Sequence, residues 1–126
     1  MIGYAEAGAW LEAFGAAWEA FDGDAWVALF GDEAEYHGDP FGEPLVGHNA
    51  LRAFLLESAE TQRDVDLTVE RHWVSGSTVL AAWHASWTGR TDGRLVRSAG
   101  FMTADLADDG RAGSVHQWSM LAPSGG

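Results

Sequence analysis

Residues 36–47 read Tyr36-His37-Gly38-Asp39-Pro40-Phe41-Gly42-Glu43-Pro44-Leu45-Val46-Gly47. Two prolines and three glycines accompany Asp39 in this segment, and such residues fix a backbone rather than fill a core. Pro40 biases Asp39 toward an extended conformation. The segment therefore predicts either a stiff turn that presents the Asp39 carboxylate at the end of a short strand or a simple surface Asp-Pro turn.

Helical patterns lie on both sides of this segment. Apolar residues recur at three- and four-residue spacing over residues 5–21, and glutamates fall between them, which predicts an amphipathic helix. In Asp22-Gly23-Asp24, Gly23 is expected to take the left-handed cap and Asp24 to N-cap a second helix over residues 25–30. A third helix is predicted from residue 48 to about residue 61.

After the third helix the hydrophobic period changes to two. The alternation predicts strands over residues 64–74, 78–88, 94–106 and 112–121, with turn signals between them, and short strands at 34–37 and 45–46. This order predicts an α+β fold in which three N-terminal helices pack on a curved mixed or antiparallel sheet around a central pocket. Residues 1–122 are expected to form one domain, and residues 123–126 a flexible tail.

The composition narrows the classes of partner. The 126 residues contain 19 acidic side chains, seven Arg and no Lys, for a net charge of −12, which disfavours nucleic acid and anionic membranes. Seven Trp and six Phe indicate an aromatic core or an apolar cavity with aromatic walls. There is no Cys, and no signal peptide or membrane-spanning run is evident, so a cytoplasmic protein is expected.

Several motifs together resemble the NTF2-like superfamily, in its SnoaL-like and ketosteroid-isomerase-like branch. They are listed in chain order: Asp22-Gly23-Asp24, Leu29-Phe30-Gly31-Asp32-Glu33-Ala34, Asp39-Pro40-Phe41-Gly42, Gly47 before the third helix, and Asp109-Gly110-Arg111 before the last strand. The resemblance covers nearly the whole chain and implies a conical fold with a small-molecule pocket. It specifies the reaction less well, because this superfamily holds isomerases, cyclases, epoxide hydrolases and non-enzymes.

The resemblance implies a general base at Asp39, because the isomerase of the family uses an Asp followed by Pro at its pocket mouth. The isomerase's oxyanion hole is not retained: its Tyr position falls on Ala16 or Ala17 and its Asp position near Met102. The Arg–Asp pair of the limonene-epoxide-hydrolase-like members is also incomplete, since Arg97-Ser98-Ala99 lacks the Asp. In SnoaL-type cyclases a pocket Asp acts as acid and base, a role that Asp39 could serve.

These observations predict an isomerase- or cyclase-like enzyme that uses general acid/base chemistry in an apolar pocket. The alternatives are a non-catalytic ligand-binding or accessory domain and an epoxide-hydrolase-like hydrolase. No cofactor and no metal are expected, and the predicted partners are a small apolar or polycyclic ligand and a second copy of the chain. The predicted catalytic residues are Asp39 and His116, and the predicted substrate-binding residues are Tyr36, His37, Trp26, Phe41, Phe54, Trp83, His84, Met102 and Trp118. For each His the alternative is a surface or hydrogen-bonded core position, and for the sheet aromatics it is core packing.

Overall fold

The structure is a computed structural model and describes residues 2–123. Within these residues, three helices and six strands follow one another. They are α1 (Tyr4–Glu19), α2 (Gly23–Val27), β1 (Phe30–His37), β2 (Leu45–Val46), α3 (His48–Thr61), β3 (Gln62–Ser75), β4 (Thr78–Gly89), β5 (Leu95–Leu106) and β6 (Ala112–Leu121). The predicted α+β order of elements is therefore confirmed.

The helix α1 buries the apolar side that its periodicity predicted. Ala7, Trp10, Leu11, Phe14 and Ala17 are all at most 5% exposed, and they recur at the spacing of one helix face. Trp10 also donates its indole N–H to the carbonyl oxygen of residue 29 at 3.1 Å. This bond fixes the helix against the segment that leads into the sheet.

The junction between α1 and α2 differs from the prediction by about two residues. Phe21, not Gly23, has the positive φ, of 50°. Asp22, not Asp24, caps the second helix, because its Oδ1 accepts the Ala25 N–H at 3.1 Å. Gly23 and Asp24 instead form the first turn of α2.

The predicted extent of the second helix, to residue 30, is wrong. The helix α2 ends at Val27, and Phe30 is already the first residue of β1. The cause is a long-range pairing: Ala112 donates its N–H to the Leu29 carbonyl at 2.8 Å, and Phe30 pairs with Ala112. Pairing with the last strand therefore overrides the local helical pattern.

The six strands form one mixed, curved sheet in the order β2-β1-β6-β5-β4-β3. The pairing of β1 with β6 is parallel, and the other pairings are antiparallel. The last strand thus lies between the first strand and the β3–β4–β5 meander. The predicted cone of helices on a curved sheet is confirmed.

The two faces of the sheet differ sharply in burial. On the inner face, which packs against the helices, Val79, Ala81, Met102, Ala104 and Val115 are at most 3% exposed. The outer face carries partly exposed side chains from the alternate positions of the same strands. Any ligand chemistry inside the fold must therefore come from inward-pointing residues.

No helix within residues 2–123 is long and apolar enough to cross a membrane. Pro123 is exposed after β6, and the remainder of the predicted tail, residues 124–126, lies outside the described residues. The extent of the predicted domain, residues 1–122, stays a prediction.

Candidate functional site

A cavity of about 210 Å³ lies between the inner face of the sheet and the helices α1 and α3. Large rings supply much of its wall: Phe14 and Trp18 come from α1, Phe54 from α3, and Trp83 and Trp87 from β4. Leu11 of α1 and the β3 residues Val65, Leu67 and Val69 add aliphatic surface. Such a wall favours apolar, ring-containing ligands.

Polar groups converge in one corner of this cavity. Trp83 donates its indole N–H to Oε1 of Gln117 at 2.9 Å, and Nε2 of Gln117 contacts the Met102 sulfur at 3.7 Å. Tyr36, which is only 4% exposed, lines the same cavity. Burial raises the pKa of the Tyr36 phenol to about 12, and a hydrogen bond with the Gln117 side chain offsets part of that rise.

No carboxylate, imidazole or guanidinium lines the cavity within residues 2–123, where Tyr36 is the single titratable group in its wall. With a pKa of about 12, this phenol stays protonated at neutral pH. The cavity as it stands is therefore equipped to bind through packing and neutral hydrogen bonds rather than through charge.

The mouth of the cavity is marked by its exposed lining residues, Gly38, Ser119 and Leu121. They lie where β1 has ended and β6 approaches its own end. Residues 38–43, all exposed, form the loop beside this opening.

Asp39 is exposed on that mouth loop and does not line the cavity. Its Oδ1 accepts the Phe41 N–H at 2.9 Å, and its carbonyl oxygen accepts the Gly42 N–H at 3.1 Å. This is the tight Asp-Pro turn given above as the alternative to a catalytic position. Phe41, predicted to bind substrate, is 97% exposed on the same turn.

Four of the predicted substrate-binding residues lie in the cavity wall, namely Tyr36, Phe54, Trp83 and Met102. Trp26 does not reach the cavity. It is fully buried at the centre of the aromatic core, with Phe30 at 4.9 Å and Trp18 at 5.4 Å between ring centroids. Its role in the structure is packing.

The remaining predicted site residues lie on the outer face of the sheet. His116, predicted to be catalytic, stacks on His37 at 4.1 Å between ring centroids and lies 5.9 Å from Trp118. His84 pairs with Glu70 on the same face. Because successive strand residues point to opposite faces, the inward position of Gln117 directs both of its neighbours, His116 and Trp118, away from the cavity.

Tyr36 is a predicted site residue, but two other polar residues of the cavity wall, Gln117 and Ser98, are not. In the sequence, His116-Gln117-Trp118 is the best polar and aromatic candidate on the last strand, yet its predicted site residues are His116 and Trp118, and Ser98 enters only as part of an incomplete Arg–Asp pair. Ser98 is 7% exposed and lines the cavity, while Arg97 points to the outer face. Strand alternation places Ser98 on the same face as Met102 and Gln117 on the same face as Val115, but it does not say which of the two faces is inside.

Comparison with known proteins assigns the family. The model of the SnoaL-like domain family matches residues 11–114, which is most of the chain. The protein is a SnoaL-like domain. The resemblance to the NTF2-like superfamily inferred from the sequence is thereby confirmed. None of the curated proteins matches the sequence of this SnoaL-like domain.

Solved structures share the fold of the SnoaL-like domain at low sequence identity. The epoxide hydrolase/cyclase-like enzyme SalBIII of pyran ring formation in salinomycin is 17% identical, with a TM-score of 0.83 and 95% of each chain covered. A ketosteroid-isomerase-like protein from Catenulispora acidiphila in complex with trimethylamine is 14% identical, with a TM-score of 0.79, covering 86% of this chain and 83% of that one. A computationally designed 17-OHP binder is 17% identical, with a TM-score of 0.76 and coverages of 93% and 98%. At these identities the likeness establishes the fold alone.

Proposed function

We propose that this SnoaL-like domain binds a small, uncharged, largely apolar molecule in its cavity. The observation that carries the proposal is the cavity wall, which within the described residues combines aromatic rings with a single, protonated titratable group. A cavity of about 210 Å³ is larger than the roughly 150 Å³ cavity that holds benzene. One or two fused rings therefore fit inside, and a longer ligand would extend through the mouth.

Ligand titration against a filled-cavity variant tests this proposal. Indane, an uncharged bicyclic hydrocarbon, is titrated while tryptophan fluorescence is followed, since Trp18, Trp83 and Trp87 line the cavity. Ala85→Leu adds bulk to the cavity wall and is expected to weaken binding at least tenfold. Ala82→Leu, on the same strand but the opposite face, is the matched control and should bind as the wild type does. Equal loss in both variants, or no saturable binding to the wild type, would contradict the proposal.

A second candidate function is general acid/base catalysis by Asp39, of the isomerase or cyclase type. It is favoured by one observation: Gly38 lines the cavity, so a rotation of the mouth loop would bring the adjacent carboxylate to the opening. Exchange of the α-protons of 1-indanone in D₂O, followed by NMR, reports such a base directly. The candidate predicts protein-dependent exchange that falls by roughly 10²–10⁴ in Asp39→Asn. Exchange that is absent, or equal in the variant, would remove the enzymatic role and leave the binding role. The epoxide-hydrolase-like alternative is not favoured, because no carboxylate or guanidinium lines the cavity within the described residues.

We further infer that the outer face of the sheet pairs with a second copy of the chain. Trp73 lies 6.1 Å from Phe101, Phe101 is in register with Trp118, and the two tryptophans remain 37% and 43% exposed. Arg71 stacks over Trp73 on a face that also carries acids, so two copies related by a two-fold axis can pair opposite charges. Light scattering after size-exclusion chromatography should give a dimer that Trp118→Glu converts to monomer. A wild-type monomer at micromolar concentration would contradict the inference.

A cytoplasmic location stays a prediction.

A further inference from the structure

The indole of Trp83 occupies the space that a side chain at Gly100 would fill. The two residues are direct cross-strand neighbours in β4 and β5. A Cβ on Gly100 would lie 2.5 Å from Cζ2 and 2.8 Å from Cε2 of the Trp83 ring. The ring therefore lies flat across the glycine, and its N–H is directed over β5 toward β6.

This orientation determines which way the Gln117 amide faces. An indole N–H can only donate, so the atom that it meets at 2.9 Å is the amide oxygen. The NH₂ group is consequently turned the other way, where the Met102 sulfur at 3.7 Å is one neighbour. A thioether is a weak acceptor, so this buried NH₂ group can still donate to a stronger acceptor that enters the cavity.

The Tyr36 hydroxyl adds a second donor in the same corner. Tyr36 and Gln117 both line this part of the cavity, and the Tyr36 phenol carries an O–H that can donate. Ser98 lies nearer the mouth and donates its hydroxyl to the Met120 carbonyl at 3.2 Å, so it does not take part in this corner. The corner therefore presents N–H and O–H groups to the cavity.

We propose that Gln117 and Tyr36 form a subsite for the oxygen of a neutral carbonyl group. Trp83 is the residue that positions the Gln117 amide. The ligand class follows from the donors: ketones, esters and amides can accept from them, whereas an ammonium group, which can only donate, cannot. This inference rests on the proposed function, since it names the chemistry of a ligand for the same cavity. The residues differ from those that the family resemblance implies for the isomerase's oxyanion hole, whose positions fall on Ala16 or Ala17 and near Met102.

A panel of three ligands of one shape tests the subsite. Indane, 1-indanone and 1-aminoindane share the same ring system and differ in one substituent. The wild type is expected to bind 1-indanone about tenfold more tightly than indane, the value of one to two neutral hydrogen bonds. It is expected to bind 1-aminoindane, which is protonated at neutral pH, more weakly than indane.

Variants then assign the effect to residues. Gln117→Met, close in shape and apolar, is expected to abolish the preference for the ketone, measured as the ratio of the 1-indanone and indane Kd values in the same variant. Trp83→Phe is expected to reduce that preference severalfold without removing any group that itself contacts the carbonyl, which is the signature of a positioning residue. Tyr36→Phe supplies an independent loss of one donor. Thermal melts establish that each variant is folded. If Gln117→Met does not fold, the comparison of the three ligands on the wild type decides the question by itself.

The outcomes separate the two proposals. If none of the three ligands saturates the wild type, the proposed binding function fails. If indane binds and 1-indanone binds no better, the cavity stands and the carbonyl subsite is overturned. If 1-aminoindane binds most tightly, the corner accepts rather than donates, and the amide orientation argued above is wrong.

Discussion

Replacing Gly100 by Ala tests the packing on which the polar corner depends. A Cβ at this position would come within 2.4 Å of the Trp118 carbonyl oxygen on β6 and 2.5 Å of the Trp83 ring on β4. The first neighbour is backbone, which cannot swing aside. The second is an indole already fixed by its bond to Gln117.

Two terms contribute to the expected loss of stability. Overpacking a well-filled site costs about 1–3 kcal/mol, and displacing the Trp83 indole breaks a partly buried hydrogen bond worth about 1 kcal/mol. We therefore expect Gly100→Ala to lower the free energy of unfolding by about 2–4 kcal/mol. For a chain of this size, that corresponds to a decrease in Tm of roughly 8–16 °C.

Urea denaturation followed by circular dichroism measures this difference, and Gly113→Ala is the matched control. Gly113 is also a strand glycine, but nothing lies within 4 Å of the Cβ that would be added there. That variant should stay within about 0.5 kcal/mol of the wild type or be slightly more stable. If Gly100→Ala proved as stable as Gly113→Ala, the fixed position of Trp83 would be refuted.

Three further predictions concern single contacts. The Tyr36 phenol has its ordinary pKa of 10.0 in the unfolded chain and a pKa of about 12 in the folded protein. As the pH rises, the unfolded state therefore loses this proton at a lower pH than the folded state. The free energy of unfolding should then fall by about 2 kcal/mol between pH 10 and pH 12, and Tyr36→Phe should lack this decrease in denaturation curves at both pH values. The Glu19 carboxylate accepts the Leu67 N–H at 2.9 Å. Glu19→Ala should therefore lower the free energy of unfolding by about 1 kcal/mol. An unchanged urea midpoint would show that water replaces the bond. Arg90 donates to the carbonyl oxygens of Ala59 and Gln62 at the end of α3, at 2.6 and 3.0 Å. Arg90→Met should lower the free energy of unfolding by about 1 kcal/mol and increase amide hydrogen exchange at the end of α3. Unaltered exchange would show that these bonds do not stabilise the end of the helix.

The order of elements was predictable because its signals are local. The third helix and the strands β2 and β6 have the predicted bounds, since their periodicity is set by residues a few positions apart. The start of β1 was not predictable in this way. Phe30 belongs to a strand because Ala112, at the other end of the chain, pairs with it.

The contents of the cavity were harder to predict, because alternation defines two faces without saying which one is inside. On β6, Val115 and Leu121 share one phase, while Trp118 and Met120 share the other, so hydrophobicity alone gives no decision. Only the assembled sheet shows that Gln117 points inward. The direction of Asp39 is set by a loop turn, which a strand pattern does not determine.

The parallel pairing of β1 with β6 also has a consequence for how the chain folds. Strands β3, β4 and β5 are neighbours in sequence and can pair early, but β1 and β2 join the sheet only through β6. Closing the long loop between β1 and β6 is entropically costly and slow relative to hairpin formation. The polar corner needs Tyr36 from β1 and Gln117 from β6 together. During refolding, ligand binding should therefore recover last, after most of the sheet has formed.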